Sequence, residues 1–202
     1  MIPQFYKVVD DFEKEIAKYA GSKYACVVNS CTNALLLACA YNKVKEVTIP
    51  KRTYIGVPMS IIHAGGTVKF DDKDWQWAGL YQLRPYPIWD SARWLSSPMY
   101  FKNSFMCISL HWGKTLNLGQ GGVILHDNKK AQEWFKKARF DGRTEGVAPK
   151  DDNPILGWHC MMSPSEAADA LVRLHFLPKH NKPLPNDDYP DLSKFNIFKG
   201  EK

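Results

Sequence analysis

Two polar side chains lie where strands are predicted to end, and both could do chemistry. Lys114 follows a predicted strand that ends at Ser109, and a lysine amine in such a loop can form a Schiff base with a carbonyl compound. An ordinary surface lysine in a hairpin is the alternative. Asp90 ends another predicted strand. Ligands of open parallel sheets bind beyond the carboxyl ends of the strands, although an acid there can equally cap the next helix. The run Gly113–Thr115 is not a P-loop, because Ile108 stands where that motif requires glycine.

Two further segments could contact a ligand. Ser30, Cys31 and Thr32 lie where a predicted strand passes directly into a helix. The free N–H groups and the dipole at a helix N-terminus favour an anion such as phosphate, whereas a serine or threonine cap without any ligand is the alternative. Tyr54 follows another predicted strand and could either stack on a flat ligand or pack at the rim of the core.

Strands that alternate with helices would bring these segments together, and the hydrophobic pattern predicts such an order. Predicted strands cover 24–29, 46–50, 67–71, 86–90, 104–110 and 123–126, and predicted helices cover 11–20, 33–40, 129–140 and 164–176. This alternation is typical of an α/β fold with a largely parallel sheet. From Lys179 onward the chain is rich in proline and aspartate, with weak periodicity. We therefore expect one α/β domain over 1–178 and an extended C-terminal tail over 179–202.

The composition excludes several classes of protein. The 202 residues are 45% hydrophobic and 24% charged, which supports a core and excludes a disordered chain. No apolar run approaches the roughly 18 residues of a membrane span, and the N-terminus lacks the pattern of a secretory signal, so we expect a cytoplasmic protein. Five cysteines without a Cys-x-x-Cys pair favour free thiols over disulfides or a metal site. The net charge of +6 permits nucleic-acid binding, but the basic residues are scattered.

The order of the candidate segments resembles the DegT/DnrJ/EryC1/StrS family of pyridoxal-phosphate-dependent sugar aminotransferases. The resemblance covers about residues 10 to 175 and rests on five motifs in the family's order. These motifs are Asn29–Thr32, Pro50–Tyr54, Asp90–Arg93, Ser109–Lys114 and Gly121–Gly122.

The resemblance implies a fold-type-I transferase-like large domain, with a mostly parallel sheet flanked by helices and pyridoxal 5'-phosphate at the strand ends. It implies that Lys114 forms the Schiff base with the cofactor and later moves the proton. Asp90 would pair with the pyridinium nitrogen, so that the ring acts as an electron sink, and Tyr54 would stack on the ring. The implied phosphate ligands are Cys31, Thr32 and Ser109.

The sequence also departs from the family pattern. Arg93 replaces a glutamine near the hydroxyl side of the cofactor, and Cys31 replaces a glycine of the phosphate turn. His159 replaces an asparagine that reaches the phosphate of the neighbouring subunit. Only about fifteen residues separate Asp71 from Pro87, too few for the family's additional strand and helix. The family's C-terminal small domain also has no counterpart in this sequence.

The resulting hypothesis is a pyridoxal-phosphate-dependent aminotransferase that acts on a nucleotide-linked sugar and takes its amino group from an amino-acid donor. It would be a homodimer with the cofactor site at the subunit interface. The alternative is a non-catalytic, degenerate relative that binds the cofactor or a sugar nucleotide without turnover. A third hypothesis, a nucleic-acid-binding protein, rests on the net charge alone.

Overall fold

A computed structural model describes residues 4–72, 79–185 and 188–199 of the chain. Within these residues the helices are α1 (Gln4–Ala20), α2 (Cys31–Tyr41), α3 (Gly56–His63), α4 (Lys129–Ala138) and α5 (Pro164–Phe176). The strands are β1 (Tyr24–Val28), β2 (Glu46–Pro50), β3 (Thr67–Asp71), β4 (Tyr81–Leu83), β5 (Ile88–Asp90), β6 (Phe105–Ser109) and β7 (Gly122–His126). No helix among these residues is long and apolar enough to cross a membrane.

Local caps explain where three of the four predicted helices begin, whereas α1 already includes Gln4, seven residues before its predicted start. The Ser30 hydroxyl accepts the N–H of Asn33 at the start of α2, and Asn128 performs the same function for α4. Helix α5 begins with a complete capping box, in which Ser163 and Glu166 each accept a backbone N–H of the other. Helix α3 was not predicted, because it has eight residues and no side-chain cap.

The strands form a mixed sheet. Five of them pair in the order β1-β7-β6-β5-β4, and β2 and β3 form a separate parallel pair. Two backbone hydrogen bonds between Thr48 and Arg84 connect β2 to β4. The prediction of an α/β fold with helices flanking the sheet is confirmed, and the pairing shows that β4 and β7 run opposite to the other described strands.

Strand β4 takes the place of the crossover that the sequence is too short to contain. It pairs antiparallel with β5, so that Tyr81 lies opposite Asp90. An antiparallel neighbour needs only a tight turn, whereas a parallel neighbour needs a connection of about a dozen residues. The short segment before Pro87 can therefore add a strand only if that strand is reversed.

Helices cover both faces of the sheet. Helices α2, α3 and α4 pack on one face, against side chains such as Cys26 and Val28. Helices α1 and α5 pack on the other face, against the alternate side chains Ala25 and Val27. Helices α1, α2 and α4 contact the strands of the five-stranded sheet directly, whereas α5 packs mainly on α1 and α3 packs mainly on α2.

A buried ion pair connects α1, β1 and the end of α4. The Arg139 guanidinium contacts the Glu13 carboxylate, and its side chain is 1% exposed. Glu13 also accepts the N–H of Val27 at 3.0 Å, and Arg139 donates to the carbonyl of Val27 at 2.7 Å. Arg139 reaches Glu145 as well, at 3.0 Å. This network anchors β1 at Val27, through the N–H and the carbonyl of that residue.

We predict that Glu13→Gln lowers the free energy of unfolding by about 3–5 kcal/mol, because it leaves a buried guanidinium without its closest carboxylate. Urea denaturation measures this loss. The matched control is Asp169→Asn, which breaks the exposed pair of Asp169 with Arg173 on α5 and is expected to cost at most about 0.5 kcal/mol. Equal effects of the two substitutions would contradict the prediction.

Candidate active site at one edge of the sheet

The four segments with candidate chemistry meet at one edge of the sheet. Strands β1, β2, β5 and β6 run in the same direction, so their carboxyl ends lie together. Ser30–Thr32, Lys51–Tyr54, Asp90 and Ser109–Lys114 lie at these ends. Strand β7 runs the opposite way, so Gly122 begins it at the same edge.

The turn from β1 into α2 presents free backbone donors. Cys31 and Thr32 are the first residues of α2, and N–H groups at these positions have no acceptor within a helix. The turn packs directly on β7. A Cβ atom on Gly122 would lie 2.4 Å from the carbonyl of Ser30 and 2.6 Å from the nitrogen of Cys31. Glycine is therefore required at position 122 for this turn to rest on the sheet.

A second glycine brings the start of α3 against the start of α2. A Cβ atom on Gly56 would lie 2.7 Å from the ring of Tyr54 and 2.8 Å from the hydroxyl of Thr32. Ser60 secures the contact by donating to the carbonyl of Thr32 at 2.8 Å. Tyr54 is 54% exposed and lies beside the Thr32 hydroxyl. In this position its ring could stack on a flat ligand.

Asp90 is a buried carboxyl with few partners. One of its oxygens accepts the N–H of Ala92 at 2.9 Å. Tyr81, opposite on β4, also hydrogen-bonds to it and shares its hydroxyl with Thr53 at 2.6 Å. Burial raises the pKa of Asp90 above its usual value, even though these hydrogen bonds and the charges of Lys114 and Arg93 act to lower it. The same burial, reinforced by the charge of Asp90, raises the pKa of Tyr81.

Lys114 lies close enough to act on two of the other candidate residues. Its loop closes through a hydrogen bond from the Lys114 N–H to the carbonyl of His111 at 3.0 Å. The positive charge of Lys114 lowers the pKa of both Asp90 and Cys31. For the Cys31 thiol this effect is outweighed by burial, and then by Asp90, which together raise its pKa well above the usual value. Ser109, at the start of the loop, is buried.

A narrow cavity of about 30 Å³ lies next to Asp90. Its walls include Arg93, which is buried and whose charge acts on Asp90. They also include Tyr189, which belongs to the C-terminal tail. The cavity is lined by Thr53, Tyr54, Gly79, Tyr81, Asp90, Ala92, Arg93 and Tyr189.

One predicted site residue lies apart from the others. The His159 side chain is 80% exposed and contacts Asp141 at 3.0 Å, and its backbone pairs with Phe140. His159 therefore does not contribute to the cavity of its own chain. Five residues that line the cavity were not predicted as site residues, namely Thr53, Gly79, Tyr81, Ala92 and Tyr189. Thr53 belongs to a motif that was recognised, whereas Tyr81 and Tyr189 occur in segments without a clear pattern.

Comparison with known proteins supports the resemblance in the first part of the chain. Residues 2–79 match the DegT/DnrJ/EryC1/StrS aminotransferase family. Over 69 residues the chain is 42% identical to the spore coat polysaccharide biosynthesis protein SpsC of Bacillus subtilis (strain 168). Over 68 residues it is 40% identical to a UDP-4-amino-4,6-dideoxy-N-acetyl-beta-L-altrosamine transaminase of Campylobacter jejuni. Each match covers 33% of this chain but only 18% of the relative.

Structural similarity to known proteins extends beyond the residues that match in sequence. The sugar aminotransferase CalS13 from Micromonospora echinospora superposes with a TM-score of 0.72, over 84% of this chain and 60% of that one, at 15% identity. The chain thus spans less than two thirds of the length of these relatives. Residues 2–79 match the DegT/DnrJ/EryC1/StrS aminotransferase family, which confirms the resemblance over that part of the chain, and 84% of the chain shares its fold with CalS13.

Proposed function

We propose that this chain binds pyridoxal phosphate at the carboxyl edge of its sheet and is an aminotransferase that acts on a nucleotide-linked sugar. The observation that carries the proposal is the meeting of Asp90, Lys114 and the start of α2 at one edge. A buried carboxyl, an amine and a set of free N–H donors are three groups of different chemistry. Their meeting matches one ligand with a basic nitrogen, a carbonyl group and a phosphate.

The residues present fit this cofactor. Asp90 is buried strongly enough for its pKa to be raised, so a cationic nitrogen beside it would restore the interactions that the carboxylate lost with water. The N–H groups of Cys31 and Thr32 at the start of α2 suit a phosphate. The exposed ring of Tyr54 offers a stacking face. When bound, pyridoxal phosphate supplies an electron sink for chemistry at the carbon next to an amine.

Each residue of the chain has a distinct role in this proposal. Asp90 holds a proton on the ring nitrogen of the cofactor. Lys114 would supply an amine for the cofactor's carbonyl group and would hold a proton taken from the substrate. Tyr54 orients the ring by stacking. The phosphate is held by Cys31, Thr32 and Ser109, and Arg93 contacts the hydroxyl side of the ring.

The substrate and the assembly also belong to the proposal. The named activity of the Campylobacter jejuni relative supports a nucleotide-linked sugar as one substrate, with an amino acid as the amino donor. A homodimer would give the exposed His159 side chain a place at the phosphate of the neighbouring subunit. Sedimentation analysis that finds only monomers would contradict this part.

A non-catalytic relative is the second candidate. The cavity beside Asp90 measures about 30 Å³, whereas sites for small molecules usually measure about 300–1,000 Å³. A protein that has the site residues but too small a cavity for the substrate could bind the cofactor without catalysing transamination. Conversion of the bound cofactor to its amine form on adding amino acids, followed by absorbance, separates the two candidates, because only an aminotransferase transfers the amino group to the cofactor.

We predict that Asp90→Asn stabilises the protein at pH 7 by about 0.5–2 kcal/mol, because it removes a carboxylate whose burial costs stability. The folded pKa of Asp90 is raised, so the cost is absent when the carboxyl is protonated in both states and grows as the pH rises through the folded pKa. The gain should therefore shrink as the pH is lowered from 7 towards 4. Urea denaturation at several pH values measures it.

Asp141→Asn is the control for this pH series. Asp141 is exposed, and its hydrogen bond with His159 lowers its pKa, so its removal should not stabilise the protein. If Asp90→Asn destabilised the protein at pH 7, the carboxylate would not be under strain from burial, and the fit to a cationic ligand would lose its main support.

We predict that pyridoxal phosphate, followed by borohydride reduction, labels Lys114. Peptide mass analysis should find one reduced adduct on the peptide that contains this residue, and Lys114→Arg should lose it, since a guanidinium does not form the bond. The matched control is Lys130→Arg, which changes an exposed lysine of α4 and should leave the adduct in place. Labelling spread over surface lysines, unchanged in Lys114→Arg, would overturn the proposed function.

A further inference from the structure

The C-terminal tail lies along one side of the candidate site. The carbonyl of Lys179 accepts the N–H of Ser97 at 2.7 Å, and the N–H of Leu184 donates to the carbonyl of Arg93 at 2.8 Å. Between them, the side-chain amide of Asn181 donates to the carbonyl of Leu95 at 3.1 Å. This first part of the tail is therefore attached, residue by residue, to the segment that follows β5 and Asp90.

The next described part of the tail contacts the opposite side of the site. Arg52 donates to the carbonyl of Tyr189 at 3.0 Å. The N–H of Leu192 donates to the carbonyl of Lys51 at 2.9 Å, and the Leu192 side chain is 1% exposed. Asp191 forms an ion pair with Lys51 at 3.5 Å. Lys51 and Arg52 directly follow β2, so the tail spans the two strand ends that border the cavity.

Tyr189 lies at the centre of this span. Its ring centroid is 6.5 Å from that of Tyr54, and it lines the cavity together with Asp90. The remaining cavity measures about 30 Å³, far below the roughly 300–1,000 Å³ of sites for small molecules. A flat ligand that stacked on Tyr54 beside Asp90 would therefore need part of the space that the tail now fills.

We propose that residues 188–192, here called the strap, gate the pocket beside Asp90, with the Lys51–Asp191 ion pair as the latch. The inference rests on the proposed function, because the ligand admitted is a flat anion such as pyridoxal phosphate. The strap lifts away from Lys51–Tyr54 to admit the ligand, while the attachments at Lys179–Leu184 retain the tail. Tyr189 then closes over the bound ligand as a wall of the site.

Within the strap, Leu192 has the one buried side chain among the described residues. The described contacts of the strap also include two hydrogen bonds to backbone carbonyls, the ion pair with Lys51 and the ring contact between Tyr189 and Tyr54. Segments held by few buried apolar contacts open locally at a free energy well below that of global unfolding. The latch is partly shielded, because the Asp191 side chain is 10% exposed and the Lys51 side chain is 28% exposed. Its removal should therefore shift the opening equilibrium measurably.

Amide hydrogen exchange tests the gate without any ligand. Two amides report on it: that of Leu192, bonded to Lys51, and that of Ala92, bonded to Asp90 inside the pocket. In Asp191→Asn, both should exchange about fivefold faster than in the wild type, the factor expected for loss of one partly exposed ion pair. Lys51→Met should accelerate both at least as much, because it also removes the ion pair of Lys51 with Asp72. An amide of β7, such as that of Ile124, should not change. The Asp191→Asn side chain still carries an oxygen that can accept the N–H of Ser193, as the carboxylate does.

The matched control is Asp188→Asn, which removes the same charge from an exposed position of the strap and should leave both amides at wild-type rates. Unchanged exchange at Leu192 in the latch variants would overturn the latch. Faster exchange at Leu192 without faster exchange at Ala92 would overturn the gate, because the strap would then open without exposing the pocket.

Stopped-flow mixing with pyridoxal phosphate provides the second readout. The association rate constant should rise in Asp191→Asn by about the same factor as exchange at Ala92, and Tyr189→Ala should raise it as well. Equal rates in the wild type and the latch variants, despite faster exchange, would overturn gating of this ligand. Absence of binding in every variant would overturn the proposed function, and the exchange data would then still decide whether the strap opens the pocket.

Discussion

The ion pair between Glu13 and Arg139 is the interaction on which the position of the candidate site depends. Both charged groups are buried and both contact the backbone of Val27. The pair thus fixes β1 against α1 on one face and against the end of α4 on the other. Because β1 is anchored at Val27, its carboxyl end and the turn of Ser30–Thr32 that follows it occupy a defined position. Desolvation offsets much of the attraction within a buried ion pair, so the net contribution of the pair to stability is smaller than the cost of removing one partner.

Desolvation of charge also shapes the site itself. Asp90 is buried although burial raises its pKa, and Lys114 and Arg93 compensate only in part. A carboxyl kept in this state lowers the stability of the free protein and favours a cationic partner. Destabilised groups of this type are characteristic of functional sites, where stability and activity are in conflict. The tail adds a second constraint, since Tyr189 fills space next to the same carboxyl.

Strand direction decides which residues face each other at the site. Because β4 is reversed, Tyr81 lies opposite Asp90 and reaches both this carboxyl and Thr53. A parallel strand in the same position would need a crossover longer than the chain provides before Pro87. The hairpin therefore keeps Asp90 in an inner strand of the sheet, between β4 and β6, and supplies it with a tyrosine partner.

Hydrophobic periodicity and capping residues in the sequence determined the alternation of strands and helices, and with it the convergence of Asp90, Lys114 and the Ser30–Thr32 turn. These features could be predicted because parallel strands place their carboxyl ends at one edge whatever the side chains are. Only the tertiary structure decided that β4 is reversed, that Tyr189 reaches the pocket, that His159 stands away from it and that Glu13 pairs with Arg139. The Tyr189 and Glu13–Arg139 contacts join residues far apart in the chain, and the periodicity of a segment does not specify its distant partner. Such contacts depend on which spaces and which charged groups remain unpaired once the helices and strands have packed together.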